Sequence, residues 1–484
     1  MSERPKNVGR VSTRQTTSAH GDVGLRPSVV SLSNHEAANP TYGTNLISGE
    51  IPEHWEFTTL GEVCRRGGGN IQTGPFGSQL HAADYVPVGV PSIMPTNIGE
   101  NRIVEDGIVR ITEADANRLG QHRLRAGDIV YSRRGDVEKR ALIREREEGW
   151  FCGTGCLKVR LGSGVVDPLF ASLYLGHPSV REWIVRHAVG ATMPNLNTSI
   201  MSAVPFALPP LSEQKAIAHI LGTLDDKIEL NRRMNAMLEA MARALFQSWF
   251  VDFDPVRAKL DGRKPAGLDA ASAALFPAHF QDSPLGHIPL GWTAGCIGDV
   301  ATNSRRSIQP NDIASNTPYI ALEHMPRHCI ALGDWDDSAD VASGKSSFHK
   351  GEILFGKLRP YFHKVGVAPV DGVCSTDILI LSPKSPEWFG FLLGHASSDA
   401  LVQFTDLAST GTKMPRTNWS DISSFKVALP PKPIAVAFTQ IIEPMIKRIT
   451  ANVHQSRTLA NLRDTLLPKL LSGSIQANVL ENTL

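Results

Sequence analysis

The stretch GATMPNLNTS, from Gly190 to Ser199, returns as GTKMPRTNWS from Gly411 to Ser420, and each copy leads into two prolines, Pro209-Pro210 and Pro430-Pro431. The likeness extends well upstream. IPEHWEFTTLGEV (Ile51 to Val63) matches IPLGWTAGCIGDV (Ile288 to Val300) at Ile, Pro, Trp, Gly and Val. AGDIVYSRRG (Ala126 to Gly135) resembles KGEILFGKLR (Lys350 to Arg359), and FCGTGCLKV (Phe151 to Val159) resembles VCSTDILIL (Val373 to Leu381). The offset falls from 237 through 224 and 222 to 221, as small deletions in the second copy would make it. A match kept in order over this length demands two domains of one fold, because the period is far too long for a solenoid. The 484 residues allow each copy a core of its own.

Within each copy, β-branched and aromatic runs such as DIVYS, CLKVRL, EILFG and DILIL alternate with glycine and proline turns. FASLYLGHPSVREWIVRHA and WFGFLLGHASSDALVQF carry helical spacing, so each copy is a mixed α/β domain. After the prolines the period changes. Alternating three- and four-residue steps run through Ile217, Leu221, Leu224, Ile228, Asn231, Asn235, Leu238, Ala242, Leu245 and Trp249. Phe438, Ile442, Met445, Ile449, Asn452, Ser456, Leu459 and Leu466 repeat the pattern at an offset of 221. These are heptad seams of two long helices. Proline cannot extend a strand ladder and disfavours helix in the residue before it, so each pair ends one element and lets another begin.

Gly222-Thr223 and Glu443-Pro444 fall at one place and predict a kink or restart in both helices. The stretch from Thr223 to Phe250 would then span about 40 Å. The division expected is a disordered extension (1–47), a first domain (48–210), a central helix (211–260), a connector (261–287), a second domain (288–431), a C-terminal helix (432–475) and a tail (476–484).

No apolar run approaches the roughly 18 to 20 residues of a membrane span, and nothing at the N-terminus resembles a secretory signal. Six cysteines without a C-x-x-C pair argue against zinc and for reduced, buried thiols, so a cytoplasmic protein is expected. Catalytic signatures are equally scarce. ASGKSS (Ala342 to Ser347) lacks the glycine a phosphate loop needs five residues before Gly344, where Ala339 stands, and reads as a basic loop. Asp225-Asp226-Lys227 sits on a predicted helix, where residues two apart cannot hold one metal, and reads as solvated surface. Ala207-Leu208 and Ala428-Leu429 precede the prolines where a methyltransferase would place Asn or Asp. No catalytic residue and no metal site is expected.

Binding residues stand out better, although the net charge of +1 means that cations must converge locally. Arg133, Arg134 and Lys139 follow Tyr131, with Arg140 and Arg144 beyond; Lys357, Arg359 and Tyr361 follow Phe355 in the second copy. Arginine and lysine beside rings suit phosphate contact and base-edge readout. GPFGSQL contributes Ser78, next to Thr73, and the second copy contributes Arg305 and Arg306. In the repeated stretch, Thr192 and Asn195 stand against Lys413 and Arg416, whereas Asn197 and Asn418 are common to both copies. Shared residues are expected to build the loop and differing ones to read DNA.

LPPLSEQKAIAHILGTLDDKIELNRRMNAMLEAMARALFQSWFVDFDPVRAK and LFPAHFQDSPLGHIPLGW, set in this duplicated frame, resemble the specificity subunit of type I restriction-modification systems over residues 50 to 475. Lys432-Pro433 departs from the Leu-Ser-Glu-Gln of the first copy. The resemblance implies two target-recognition domains, each reading half of a split double-stranded DNA site, separated by two antiparallel coiled-coil helices with pseudo-twofold symmetry. It implies a non-catalytic chain whose partners are two methyltransferase subunits and restriction subunits, with S-adenosylmethionine and ATP/Mg bound by those partners and no cofactor here. A single-chain methyltransferase or nuclease fragment would need the missing cofactor motifs. A coiled-coil scaffold without DNA function would leave the paired basic loops unexplained.

Overall fold

In each copy an antiparallel ribbon joins the two ends of the domain: β1 (Glu56–Thr59) pairs with β6 (Pro205–Leu208), and β7 (Thr293–Cys296) with β12 (Lys426–Leu429). This is a computed structural model, and it describes residues 52–190, 192–338, 343–409 and 414–477. The extension expected over 1–47 lies outside these residues, as does most of the expected tail. Inside the first ribbon, a four-stranded antiparallel sheet has the order β2 (Gly68–Thr73), β5 (Cys156–Gly162), β3 (Ile129–Ser132), β4 (Arg140–Leu142). The second copy repeats it as β8 (Ala301–Asn303), β11 (Ile378–Pro383), β9 (Ile353–Gly356), β10 (Val365–Val367). The register repeats too: Tyr131 faces Leu157 where Phe355 faces Leu379. A second sheet, of four strands in the first domain and five in the second, contains the parallel pair Val90–Ile93 with Phe151–Cys152, or Pro318–Ile320 with Gly372–Cys374. The two domains share one mixed α/β fold.

After β6, Pro209 and Pro210 carry the chain straight into α5 (Leu211–Phe246), with Pro210 as its N-cap at φ −51° and ψ 143°. Pro431 does the same for α9 (Lys432–Leu471) at φ −54° and ψ 142°. Their contacts fix the pair as antiparallel. Asp225 meets Arg463, Asn231 meets Ser456 and Asn235 meets Asn452, so one number rises as the other falls. Each domain grips both helices at one end. Ile217, Ile220 and Leu221 share the first core with Leu467, Leu470 and Leu471, while Phe246, Trp249 and Phe250 share the second with Phe438, Ile442 and Ile446. The predicted seam residues Leu224, Ile228, Leu238, Leu245, Met445, Ile449, Leu459 and Leu466 are all buried or half-buried.

Neither helix restarts at the places where a kink or restart is expected: both run on unbroken. Gly222 is buried, and a Cβ there would lie 2.7 Å from Leu169 in α2 (Pro168–Tyr174), so this glycine serves close approach. Pro444 lies on an exposed face of α9, opposite the buried Ile442, Ile446 and Ile449. The amide bond it removes costs about 3 kcal/mol in a helix interior, which packing of the apolar face outweighs. Two smaller readings also change. Lys345 to Ser347 of ASGKSS lie in a strand, Lys345–Phe348, and the Lys345 ammonium is folded back on Ser343, so this is no exposed basic loop. Asp225 is part of the helix interface through Arg463 at 2.7 Å.

The departure after the second double proline has a structural consequence. Glu213 of the first copy accepts hydrogen bonds from the Trp55 indole and His54, both at 2.8 Å, and the buried Gln214 side chain donates to Pro209 O and accepts from the Asp167 amide. The second copy has Ile434 in the place of Glu213, and the buried Trp292 indole N–H has no partner among the described residues. Lys432 instead reaches Glu387 at 2.6 Å.

Candidate nucleic-acid interface

In both domains the loop after the third sheet strand is held against the repeated stretch by the same short ladder. Leu196 donates to Arg133 O at 2.9 Å and Gly135 to Pro194 O at 3.1 Å. Thr417 donates to Lys357 O at 3.0 Å and Arg359 to Pro415 O at 2.8 Å. The sequence shows the basic loop and the repeated stretch separately; the fold puts them side by side. Thr198–Ser202 and Trp419–Ser424 are α4 and α8, and Asn197 and Asn418 are their N-caps, accepting from Ile200 and Asp421 amides. The shared asparagines therefore build the loop.

On the first surface the Arg133 guanidinium lies 5.7 Å from the centre of the Phe76 ring and donates to Asn195 Oδ1 at 3.3 Å. Phe76 is 56% exposed and Met193 62%, so both offer apolar surface beside the guanidinium. Arg134 and Thr192 are exposed beside them, and Lys139 is paired with Asp136 at 2.9 Å on the surface. Ser78 is exposed in the turn after Phe76 and Thr73 ends β2 half-buried. Gly74 permits that turn, since a Cβ would meet Gly153 O at 2.1 Å.

The second surface carries Tyr361 and Met414, each about half exposed, with Arg416 bound to Asp377 at 3.3 Å. Arg359 takes a left-handed backbone (φ 51°), and its buried Nε has no partner among the described residues. Lys357 is half-buried, and Lys413 lies outside the described residues. Sequence reasoning missed Phe76, Arg327 and Phe362, the last two stacked with 4.0 Å from guanidinium to ring centre. The alternation of rings and cations in PYFHK was the available signal for Phe362.

Some candidates do not reach these surfaces as free cations. Arg306 is half-buried and donates to Ser347 O at 3.1 Å and to the Glu352 carboxylate, so its charge is spent on holding strands together, whereas Arg305 beside it is exposed. Arg140 is buried in β4 with its Nε on Ser172 O, and burial holds its pKa below the ordinary value. A cleft of about 740 Å³ between the domains, floored by α5 and α9, adds Arg102, Arg144, Arg146, Arg232 and Arg457, with Asp225, Glu229, Glu323 and Asp334 interspersed. These arginines are scattered in sequence, and only the helix pairing collects them.

Four of the thiols are held inactive as nucleophiles: burial pushes Cys64, Cys152, Cys329 and Cys374 up to about 12, so they stay protonated at neutral pH. No helix among the described residues is long and apolar enough to cross a membrane.

Comparison with known proteins finds similarity to type I specificity subunits. The type I restriction modification DNA specificity domain matches residues 52–240. The MjaIX type I restriction enzyme specificity subunit of Methanocaldococcus jannaschii is 23% identical over 447 residues, covering 89% of this chain and 96% of its own length. The HindI specificity subunit of Haemophilus influenzae is 24% identical over 404 residues, covering 73% and 87%. The crystal structure of a type I restriction-modification S subunit from M. genitalium overlaps 86% of this chain and 96% of its own at 14% identity, with a TM-score of 0.49. Residues 52–240 thus match the type I restriction modification DNA specificity domain, and the likeness to type I specificity subunits runs over most of the chain.

Proposed function

We propose that this chain gives a type I restriction-modification complex its DNA sequence specificity, each domain reading one half of a split double-stranded site. The observation that carries this reading is the recurrence of one surface, a basic loop laddered to a variable stretch, at opposite ends of an antiparallel helix pair. The frame of the two surfaces is common, while Arg133, Gly135 and Asn195 on one are replaced by Lys357, Arg359 and Arg416 on the other. Shared scaffold with divergent contact residues suits two different half-sites. Thr73, Ser78, Arg134, Lys139, Thr192, Arg305, Tyr361 and Lys413 complete the two contact sets.

The helices act as the ruler. Leu221, the last core residue of the first domain on α5, and Phe246, the first of the second, are 25 positions apart. That is about 37 Å of helix, or roughly 11 base pairs at 3.4 Å each, near one duplex turn, which presents both domains to a similar face of DNA. Leu230, Met237 and Met241 form an exposed apolar stripe on α5, and Leu462, the counterpart of Met241, is exposed on α9. Such surfaces suit two methyltransferase subunits docked about a pseudo-twofold axis, with restriction subunits outside them. S-adenosylmethionine and ATP/Mg are then bound by those partners, this chain performs no chemistry, and the target adenine flips into the partner's pocket. Its place is the cytoplasm.

The test is a domain exchange. Replacing residues 288–431 with the equivalent domain of a relative should change one half of the methylated sequence in the assembled methyltransferase and leave the other half and the spacing intact. A change in both halves, or methylation without sequence preference, refutes the reading.

A further inference from the structure

Among the described residues, the second domain contains a cluster for which the first has no equivalent. His328 lies in the loop after the turn Leu322–His324, His363 closes the turn Pro360–Phe362, and Asp399 opens α7 (Asp399–Ala408), which follows α6 (Phe389–Ala396). One ligand atom from each lies within 4.8 Å of the other two. The rings of His328 and His363 have centroids 4.4 Å apart, and both residues take left-handed backbone, φ 51° and 50°. The His328 amide donates to His363 O at 3.0 Å, which pins the two segments together. Non-glycine residues in this region are strained, and two of them converging on one point is the kind of outlier from which a site is inferred.

The hydrogen bonds of His363 sharpen the argument. Its Nε2 is 3.0 Å from Ser397 O, a group that can only accept, so Nε2 carries the hydrogen. Its Nδ1 is 3.2 Å from Asp399 Oδ1. A neutral ring then points a lone pair at a carboxylate oxygen, which also has only lone pairs to offer. Either a proton on Nδ1 or a cation between the two atoms removes that conflict. The first domain resolves the same contact with an ordinary ion pair: Glu138, the residue before Lys139 as His363 is before Lys364, meets Arg181 of α3 (Pro178–His187) at 3.0 Å. The second domain supplies a second imidazole instead of an opposite charge.

We propose that His328, His363 and Asp399 form a binding site for a borderline transition dication, zinc being the best match, which ties the loop carrying His363 to the start of α7. Two imidazoles and one carboxylate are a usual zinc donor set, leaving a fourth position for water. A tetrahedron with bonds of about 2.0–2.1 Å has edges near 3.4 Å, and the Nδ1 to Oδ1 distance of 3.2 Å is already close to that. A ligand imidazole whose other N–H is given to a backbone carbonyl, as His363 gives its own to Ser397, is held in the right tautomer and orientation. Arg243, which donates to His328 O at 3.3 Å, is the cation facing the cluster and opposes the dication. His328 and Asp399 are exposed, so an ion can enter from solvent.

Chelator-treated full-length protein, titrated calorimetrically with ZnCl₂ and in parallel with CoCl₂ for its visible d–d spectrum, tests this. One dication per chain should bind, with a cobalt spectrum of low coordination number, and His328→Gln, His363→Gln and Asp399→Asn should each weaken binding by about 10-fold or more. Asp399→Asn changes an exposed carboxylate to an amide of the same shape, so it reports on the site even if His363→Gln misfolds. The chain has 16 histidines. Binding that survives Asp399→Asn and His328→Gln therefore belongs elsewhere and overturns the proposal, as does the absence of binding with the His363 ring seen as an imidazolium by NMR.

Discussion

At the middle of the helix pair lies a buried polar layer whose two halves are one hydrogen bond written twice. Asn231 Nδ2 donates to Ser456 Oγ at 3.2 Å, and Asn452 Nδ2 donates to Asn235 Oδ1 at 2.8 Å. The donors correspond at the repeat offset of 221, and so do the acceptors. Their surroundings differ. Asn235 and Asn452 are 7% and 1% exposed and have only each other, whereas Asn231 also donates to Gln455 at 3.0 Å. Asn452→Ala leaves the Asn235 amide buried and unpaired, at a cost of about 1–3 kcal/mol. Ser456→Ala leaves Asn231 its second acceptor and should cost under about 1 kcal/mol. Hydrogen exchange of the amides around 231–235 and 448–456 reads such local opening energies directly. Asn452→Ala should speed exchange there by about 5- to 140-fold, at about 1.4 kcal/mol per factor of ten, and Asn235→Ala similarly. The double variant should cost less than the sum, because the second change removes a group that the first had orphaned. Strict additivity, or an equal loss in Ser456→Ala, would refute the assignment of the bond as the source of stability.

Acid sensitivity should be traceable to buried histidines. Burial lowers His395 to about 3, among Phe246, Phe391 and Phe425, and His122 to about 4, with Lys158 adding to the shift. Below the unfolded value of 6.5 the unfolded chain takes up protons that the folded chain refuses, so stability is full above 6.5 and falls with pH towards those lower values. The slope is about 1.4 kcal/mol per pH unit for each ring, and His395→Leu should flatten the second domain's melting temperature between pH 6.5 and 5; an unchanged slope would count against the burial argument. Arg133→Ala should weaken DNA binding by the proposed complex by about 1–3 kcal/mol if the guanidinium reads a base, or lower the salt slope by about 1 if it holds a phosphate. Anisotropy titrations on sites altered in one half at a time should place the loss in a single half, and an equal loss in both would exclude a local contact. Trp55→Phe should cost about 1 kcal/mol more than Trp292→Phe, because only the Trp55 indole N–H has a partner in Glu213; equal shifts in the thermal unfolding of the two domains would contradict this.

Much of this architecture can be read from the chain because a duplication supplies its own control. A loop that recurs at matching places, or a heptad seam repeated at the same offset, separates pattern from accident without any other sequence. Long-range partners are what the pattern hides. Gly222 looks like a helix breaker until Leu169 is found 2.7 Å from its Cβ position, and Arg306 looks like a DNA contact until Glu352 is found beside it. Phe76 stayed hidden because glycines around an aromatic residue read as a turn, and only tertiary structure brings Arg133 over its ring.

The double prolines show how local sequence and long-range geometry divide the work. Each pair ends a ribbon strand whose partner is the first strand of the same domain, so the helix that follows starts from the point where the domain's two ends meet. Because α5 and α9 both start there and run antiparallel, each domain anchors the start of its own helix and the end of the other's. Neither helix can shift along its axis without moving core residues at both ends, Ile217 and Leu470 at one and Trp249 and Phe438 at the other. Separation of the two recognition surfaces is therefore fixed mainly by the buried ends, where several large apolar side chains are at stake, and the Asn layer between them adds stability more than it sets length.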